Sequence, residues 1–410
     1  MPEFLNLLPP AEALARLLAA MPGVPAAAEE IDTADAFDRV TARPVISPEA
    51  LPAFSRSTVD GYAVCARDTF GASDSLPAYL DTAGEVPMGA EPGFMLRRGE
   101  AAAIYTGGML PQGADAVVMV EHTQLTRPRQ IEVLRAAAAG ENLIRSGADV
   151  AEGEIVIAAG VRLRPGEIGG LMALGLIGIA VSRQPRVGIL SSGDEVVSPH
   201  ARPHPGQVRD VNSYTLGALV KQAGGIPIRY GIFPDREQEL RAGLEKALLE
   251  CDLVLLTAGS SASTRDLTAK IIQDAGEPGI LAHGVNVRPG KPTILGLCQG
   301  KPVIGLPGNP VSALVIAGLF VRPVIERLLG EKPRIAGQLT ARLAVNLKSQ
   351  AGREDWFPVR IIPERDGFLA DPVFYQSNLI FSLVRADGLL CIPADATGLS
   401  AGENVSVTIL

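Results

Sequence analysis

Cysteine is scarce in this chain: Cys65, Cys251, Cys298 and Cys391 are the four in 410 residues. They lie far apart, with no C-x-x-C pair and no histidine at zinc spacing. That argues against a disulfide framework and predicts reduced thiols in a cytoplasmic protein. Histidine is equally rare at four, and the closest two, His200 and His204, are separated by Ala-Arg-Pro, which no helix can use to align a metal pair. Long apolar runs are missing as well. The longest, 168–181, spans about 14 residues and includes four glycines, short of the roughly 20 needed to cross a bilayer. No membrane association is therefore expected. Glu3 and the absence of a basic stretch before Pro9-Pro10 argue against a secretory signal. Basic excess is lacking too: the formal net charge of −8 disfavours nucleic-acid binding, which needs a basic face to release counterions. No G-x-G-x-x-G opens a strand-to-helix unit, so a dinucleotide-dependent dehydrogenase is disfavoured.

What remains is a globular composition, 47% hydrophobic and 20% charged, long enough for two to four domains. Three apolar strands each run into a loop crowded with glycine and with acids or hydroxyls: RVGILSSGDE (186–195), DLVLLTAGSSASTRD (252–266) and KPVIGLPGNPVSA (301–313). Each is followed by a helical pattern. In a parallel sheet such loops emerge together at the carboxyl ends of the strands, so one ligand can touch all three.

Apolar positions Leu14, Leu17 and Leu18 recur at helical spacing near the N-terminus. From Pro44 to about Gly147, glycine and proline punctuate short alternating runs, the mark of a β-rich insert. We assign residues 8–47 and 148–182 to one discontinuous linker domain with some helix, and 48–147 to the insert. Residues 183–330 alternate strands with helices at 212–224, 236–250, 264–276 and 309–330, which predicts a three-layer α/β domain with a mostly parallel sheet. Residues 331–410 alternate with period two and predict a small β-barrel or sandwich.

Glycine in the rim loops lets backbone approach a ligand, and the N–H groups opening the following helices favour an anion. Yet acids crowd the same rim: Asp194, Glu195, Asp210, Asp235 and Asp266. Two carboxylates about 5 Å apart repel by roughly 3 kcal/mol at an effective dielectric near 20, whereas a helix terminus offers an anion only about 0.3–1. A hard divalent cation, most simply Mg²⁺, is therefore expected between these acids and a phosphorylated ligand. Taken singly, Asp194 or Asp210 could cap a turn or helix, Asp235 could be a turn residue, and Asp266 could complement a helix dipole. LPGNPVSA (306–313) is a stiff turn feeding a helix, and RPGKP (288–292) places Arg288 and Lys291 in a rigid segment suited to an oxyanion. In the insert, Asp60-Gly61 is a turn signature and Thr106 sits in a glycine-rich turn.

Together STVDGYAV, TGGMLPQGADAVVMVE, SSGDE, TAGSS with its following Arg-Asp, RPGKP, LPGNPVSA, GREDW and SNLIFSLVRADGLLCIP, in that order, resemble the molybdopterin molybdenumtransferase family, which includes MoeA and the E domain of gephyrin. The resemblance covers nearly the whole chain. It implies an α/β molybdopterin-binding domain at 183–330, and a cytoplasmic enzyme that inserts molybdenum from molybdate into adenylylated molybdopterin, releasing AMP with Mg²⁺. It also implies a homodimer whose site is shared between subunits, with the adenylyltransferase and acceptor molybdoenzymes as protein partners. On that template Asp60, Thr106 and Asp149 come from the partner side of the cleft, and Glu195, Asp235 and Asp266 from the α/β rim, with Asp235 and Asp266 nearest the metal. Ser192, Gly193, Asp194, Asp210, Gly259, Ser260, Ser261, Arg288, Lys291, Pro307, Gly308, Asn309, Pro310, Arg353 and Ser377 are the expected substrate contacts.

Two departures stand out. The family loop is usually richer in glycine than the S-S-A-S-T at 260–264, with Ser263 where glycine is common, which bears on how closely backbone approaches the ligand. A lysine often found shortly before RPGKP has no counterpart, since His283 and Gly284 occupy that stretch. These changes could mark a subfamily that prefers tungstate or one that serves a particular enzyme class. The competing readings are a molybdopterin adenylyltransferase, which would need little beyond the α/β domain, and a non-catalytic dimeric scaffold of the gephyrin type.

Overall fold

Apolar stretches too continuous to face water on either side must be covered on both. Strand Leu253–Thr257 is buried at every position, and it lies inside a six-stranded sheet. The order is Ile226–Phe233, Arg186–Ser192, Leu253–Thr257, Lys301–Leu306, Ile294–Cys298, Pro278–His283. The first four run parallel, Ile294–Cys298 runs against them, and Pro278–His283 is antiparallel to Ile294–Cys298. This is a computed structural model, and it describes residues 7–23, 27–257, 262–333, 337–374 and 376–410.

Side chains alternate across the sheet with period two. Val187, Ile189, Leu253, Leu255, Ile304 and Leu306 enter one core with Leu216 and Val220 of helix Asn212–Gln222. Leu190, Val254, Leu256 and Val303 enter the other, with Leu240 and Leu244 of helix Glu237–Glu250 and with Ile271 and Ile272 of helix Ala262–Asp274. Helix Pro10–Ala20, grouped by sequence with the linker, buries Ala13 and Leu17 in the first of these cores. The pattern at 309–330 reads as one helix, but the structure divides it into Pro310–Ile316, a π-turn at Ala317–Val321, and Arg322–Leu328. Pro323 has no N–H to donate and its ring crowds the carbonyl four residues back, so the turn ahead of it widens.

The segments flanking the insert pair with each other. Strand Ala28–Asp32 runs antiparallel to Gly178–Ser182, and Val45–Ile46 to Ile155–Ile157. Between them a six-stranded sheet is built on short side chains, with Ala101 and Ala102 facing opposite cores. Close packing there is severe at Gly61, where a Cβ would stand 1.9 Å from the Val118 carbonyl oxygen.

The C-terminal strands close on themselves. Glu354–Glu364 pairs with both Gly367–Pro372 and Gly388–Ile392, and the ring is completed by Gln338–Leu343 and Asn404–Ile409. Closure removes the free edges an open sheet of this size would expose. One edge of the barrel is extended from outside: Val287–Arg288, from the α/β unit, lies parallel to Glu354 and Asp355. Among the described residues no helix is long and apolar enough to cross a membrane.

Arg162 joins the linker segments to the α/β unit. Its side chain is 4% exposed and that of its partner Glu331 is 2%. The guanidinium donates to the Glu331 carboxylate, to the Ala223 carbonyl at 2.9 Å and to the Asp38 carbonyl at 3.0 Å. Breaking a buried pair strands the surviving charge, so Glu331→Gln is expected to cost about 3 kcal/mol, read as a lower urea midpoint than wild type.

Candidate functional site

At the carboxyl edge of the sheet, strand Arg186–Ser192 ends in Gly193, whose φ is +143°. A Cβ there would lie 2.8 Å from the Glu195 carboxylate, so only glycine lets the loop fold back tightly. The exposed Asp194 carboxylate accepts from the Asp235 N–H at 3.2 Å, and the Gly193 N–H donates to the Phe233 carbonyl. Neighbouring strand ends are thus tied together, and Glu195, half-buried, faces a cavity of about 660 Å³ shared with Ser192, Asp210, Asn212, Thr257, Gly308, Asn309 and Pro310. Asp266 lies exposed early in helix Ala262–Asp274, after the adjoining strand Leu253–Thr257. Glu195, Asp235 and Asp266 therefore follow three adjacent parallel strands at one edge. Gly259, Ser260 and Ser261 lie outside the described residues, as does the side chain of Ser263.

Asp210 lines the same cavity but is buried, 6% exposed. It accepts from the Ser191 hydroxyl at 3.1 Å, and from the Ser213 N–H and hydroxyl at 3.1 and 2.6 Å. Its charge is spent on capping the start of helix Asn212–Gln222, the alternative weighed for it from sequence. Asn212, not singled out from sequence, donates through Nδ2 to the Gly308 carbonyl at 2.7 Å. Its buried Oδ1 has no donor among the described residues, and Asn212 is one of those lining the rim cavity. Only the position of an asparagine at a helix start hinted at it.

A second cavity, about 840 Å³, opens between the α/β unit and the barrel. Asn309 lines both cavities, and its Nδ2 donates to the Ser377 hydroxyl at 2.9 Å. Arg288, Lys291, Pro307, Arg353 and Ser377 all face this cleft. Gly290 is required on packing grounds, since a Cβ would meet the Ile316 side chain at 2.4 Å. Arg353 makes a two-point contact with buried Asp355, Nε to Oδ1 at 2.8 Å and Nη2 to Oδ2 at 3.3 Å, while Arg288 reaches the same carboxylate at 3.5 Å. Of these, Arg353 in GREDW is legible from sequence, whereas Asp355 two residues on carries no signal of its own.

The insert carries a separate pair. Thr106 donates to Asp60 Oδ1 through its N–H at 2.8 Å and its hydroxyl at 2.9 Å. Those two bonds, the backbone one first, hold the exposed Asp60 carboxyl below the usual range. Asp149 is also exposed, with its N–H on the Leu51 carbonyl. Among the described residues no three of His, Cys, Asp and Glu group closely enough to hold a metal by themselves. The four cysteines are free thiols, and burial pushes Cys298 up to about 11 and Cys391 up to about 12.

A parallel-sheet rim carrying acids thus adjoins a cleft lined by Arg288, Lys291 and Arg353. Residues 8–175 match the MoeA N-terminal region (domain I and II), residues 188–327 the probable molybdopterin binding domain, and residues 340–410 the MoeA C-terminal region (domain IV). The chain is 34% identical to a putative molybdopterin biosynthesis protein of Methanocaldococcus jannaschii, over 93% of this chain and 92% of that one. It is 34% identical to a molybdopterin molybdenumtransferase of a Nostoc species, over 92% and 88%. The crystal structure of a molybdopterin biosynthesis moeA protein from Pyrococcus horikoshii superposes with a TM-score of 0.86 at 32% identity, covering 99% of this chain and all of that one. The chain belongs to the MoeA family.

Thr106→Val keeps the N–H on Asp60 and removes the hydroxyl. The Asp60 pKa is expected to rise only part of the way to its ordinary value, measured by carbon-13 NMR titration. Because the folded pKa is lowered, whatever stability this carboxylate contributes is present above the unfolded value and fades as pH falls through the folded one.

Proposed function

We propose that the protein is a molybdopterin molybdenumtransferase, acting in molybdenum cofactor biosynthesis on adenylylated molybdopterin and molybdate and releasing AMP. The observation that carries this reading is the pair of adjoining cavities. One presents acids and backbone at a sheet edge, the other presents Arg288, Lys291 and Arg353, and the Asn309–Ser377 hydrogen bond lies where they meet. A pterin phosphate and adenylate along the rim would place the ligand's reacting end beside an oxyanion held in the cleft. Matches to all three regions of the chain favour this over a molybdopterin adenylyltransferase or a non-catalytic scaffold.

In this reading the chain's own residues mainly position and neutralise. Gly193 brings the loop backbone close, Ser192 and the helix-opening N–H groups bind phosphate oxygens, and Glu195 orients the ligand or a water beside it. Arg288, Lys291 and Arg353 hold molybdate, with the Ser377 hydroxyl as a further donor. Asp235 and Asp266 would hold Mg²⁺, whose chemistry is to offset phosphate charge and polarise the scissile link. The acids fit that role because their oxygens are what a hard cation prefers. The exposed Asp60, Thr106 and Asp149 of a second subunit face the rim in a homodimer, a soluble cytoplasmic assembly.

Asp266→Asn is expected to lower AMP release from adenylylated molybdopterin by at least about 100-fold, the scale of losing one preorganised charge at a transition state. Normal turnover in that variant would reject the assignment. Calorimetry with AMP should show tighter binding in Mg²⁺ than in chelator, and equal affinities would remove the metal from the scheme.

A further inference from the structure

Asp355 is fully buried at the wall of the cleft, its side chain 0% exposed. It is shared by two guanidinium groups from different parts of the chain. Arg353 precedes it by two residues on the barrel side, and Arg288 arrives on the two-residue strand Val287–Arg288 from the α/β unit. The parallel register sets Arg288 directly across from Asp355, and the Glu354 N–H donates to the Asn286 carbonyl at 3.0 Å. Backbone pairing thus fixes where the second arginine enters before any ion pair forms. Arg353 is 32% exposed and Arg288 58%, so each keeps donors on the cavity side while the carboxylate occupies another edge.

We propose that Asp355 is a positioning residue for the oxyanion subsite, holding the two guanidinium planes at a fixed spacing and setting the charge the subsite accepts. The proposal rests on the reading that this cleft takes molybdate. Among the described residues lining the cleft, Arg288, Lys291 and Arg353 stand against the single carboxylate of Asp355. The formal excess is two positive charges, the complement of a tetrahedral dianion. Without Asp355 both arginines lose the group that orients them, and three unmatched cations repel one another across the cavity. An arginine fixed by one edge loses less freedom when a ligand takes the other, which is the advantage of a preorganised fork over a loose one.

The test uses the full-length protein, with molybdate followed by equilibrium dialysis and AMP with Mg²⁺ by calorimetry. Asp355→Asn is expected to raise the molybdate Kd at least tenfold while leaving the AMP Kd within twofold. In turnover the KM for molybdate should rise while the KM for adenylylated molybdopterin stays put. Molybdate affinity equal to wild type, or an equal loss for AMP, overturns the positioning role. Should the Asn variant not fold, Asp355→Glu decides: it keeps the charge but moves it by one methylene, so molybdate should weaken at least threefold with AMP unchanged, and wild-type affinity overturns the role. Wild-type protein that binds AMP but takes no molybdate overturns the functional reading itself, a result distinct from an indifferent variant.

Discussion

Burial of the central strands on both faces is the constraint from which the rest of the structure follows. Leu253–Thr257 and its parallel neighbours have no solvent-facing side, so polar chemistry cannot sit along them without an unpaired group in an apolar layer. Their ends are the only places left. Ser191 and Thr257 mark the transition, buried hydroxyls at or next to the last positions of adjacent strands, their oxygens 3.4 Å apart. Beyond them come Gly193, Glu195 and Asp235, of which Glu195 lines the rim cavity. The ligand edge is thus the boundary of a layer that had to be covered, and the helices that cover it also aim their N-termini at that edge.

The second site depends on a different kind of contact. Two residues of the α/β unit, Val287 and Arg288, complete an edge of the C-terminal barrel, so the two units share a sheet instead of merely touching. Backbone pairing of this sort has a definite register, whereas a surface ion pair alone would fix little. That is why a cleft between two separately folded cores can hold Arg288, Arg353 and Ser377 in one arrangement. The Arg162–Glu331 pair plays the corresponding part where the linker segments meet the α/β unit, with both side chains removed from water.

Much of the central layer was legible from sequence because a two-sided apolar strand and an amphipathic helix each leave a local periodic trace. Strand ends at Ser192, Thr257 and Leu306 followed from glycine and hydroxyl residues ending apolar runs. The break at Ala317–Val321 was not foreseen, since the periodicity at 309–330 stays helical while Pro323 acts on a carbonyl a turn earlier. Asp210 was open to two interpretations because a capping carboxylate and a ligand-binding one look alike until their donors are known. Asp355 leaves no mark of its own, because a carboxylate between Glu354 and Trp356 in an alternating run looks like any strand residue.

The sequence by itself determined that there would be a parallel layer with acids gathered at its carboxyl edge, since patterning and loop composition are properties of neighbouring residues. It also placed cations in the rigid segment at 288–292. Only the tertiary structure decided that Arg288 would meet Arg353 over one buried carboxylate, and that Asn309 would border both cavities. Those outcomes come from chain closure and strand register between segments more than 60 residues apart, and such pairings leave no periodic mark in either segment alone.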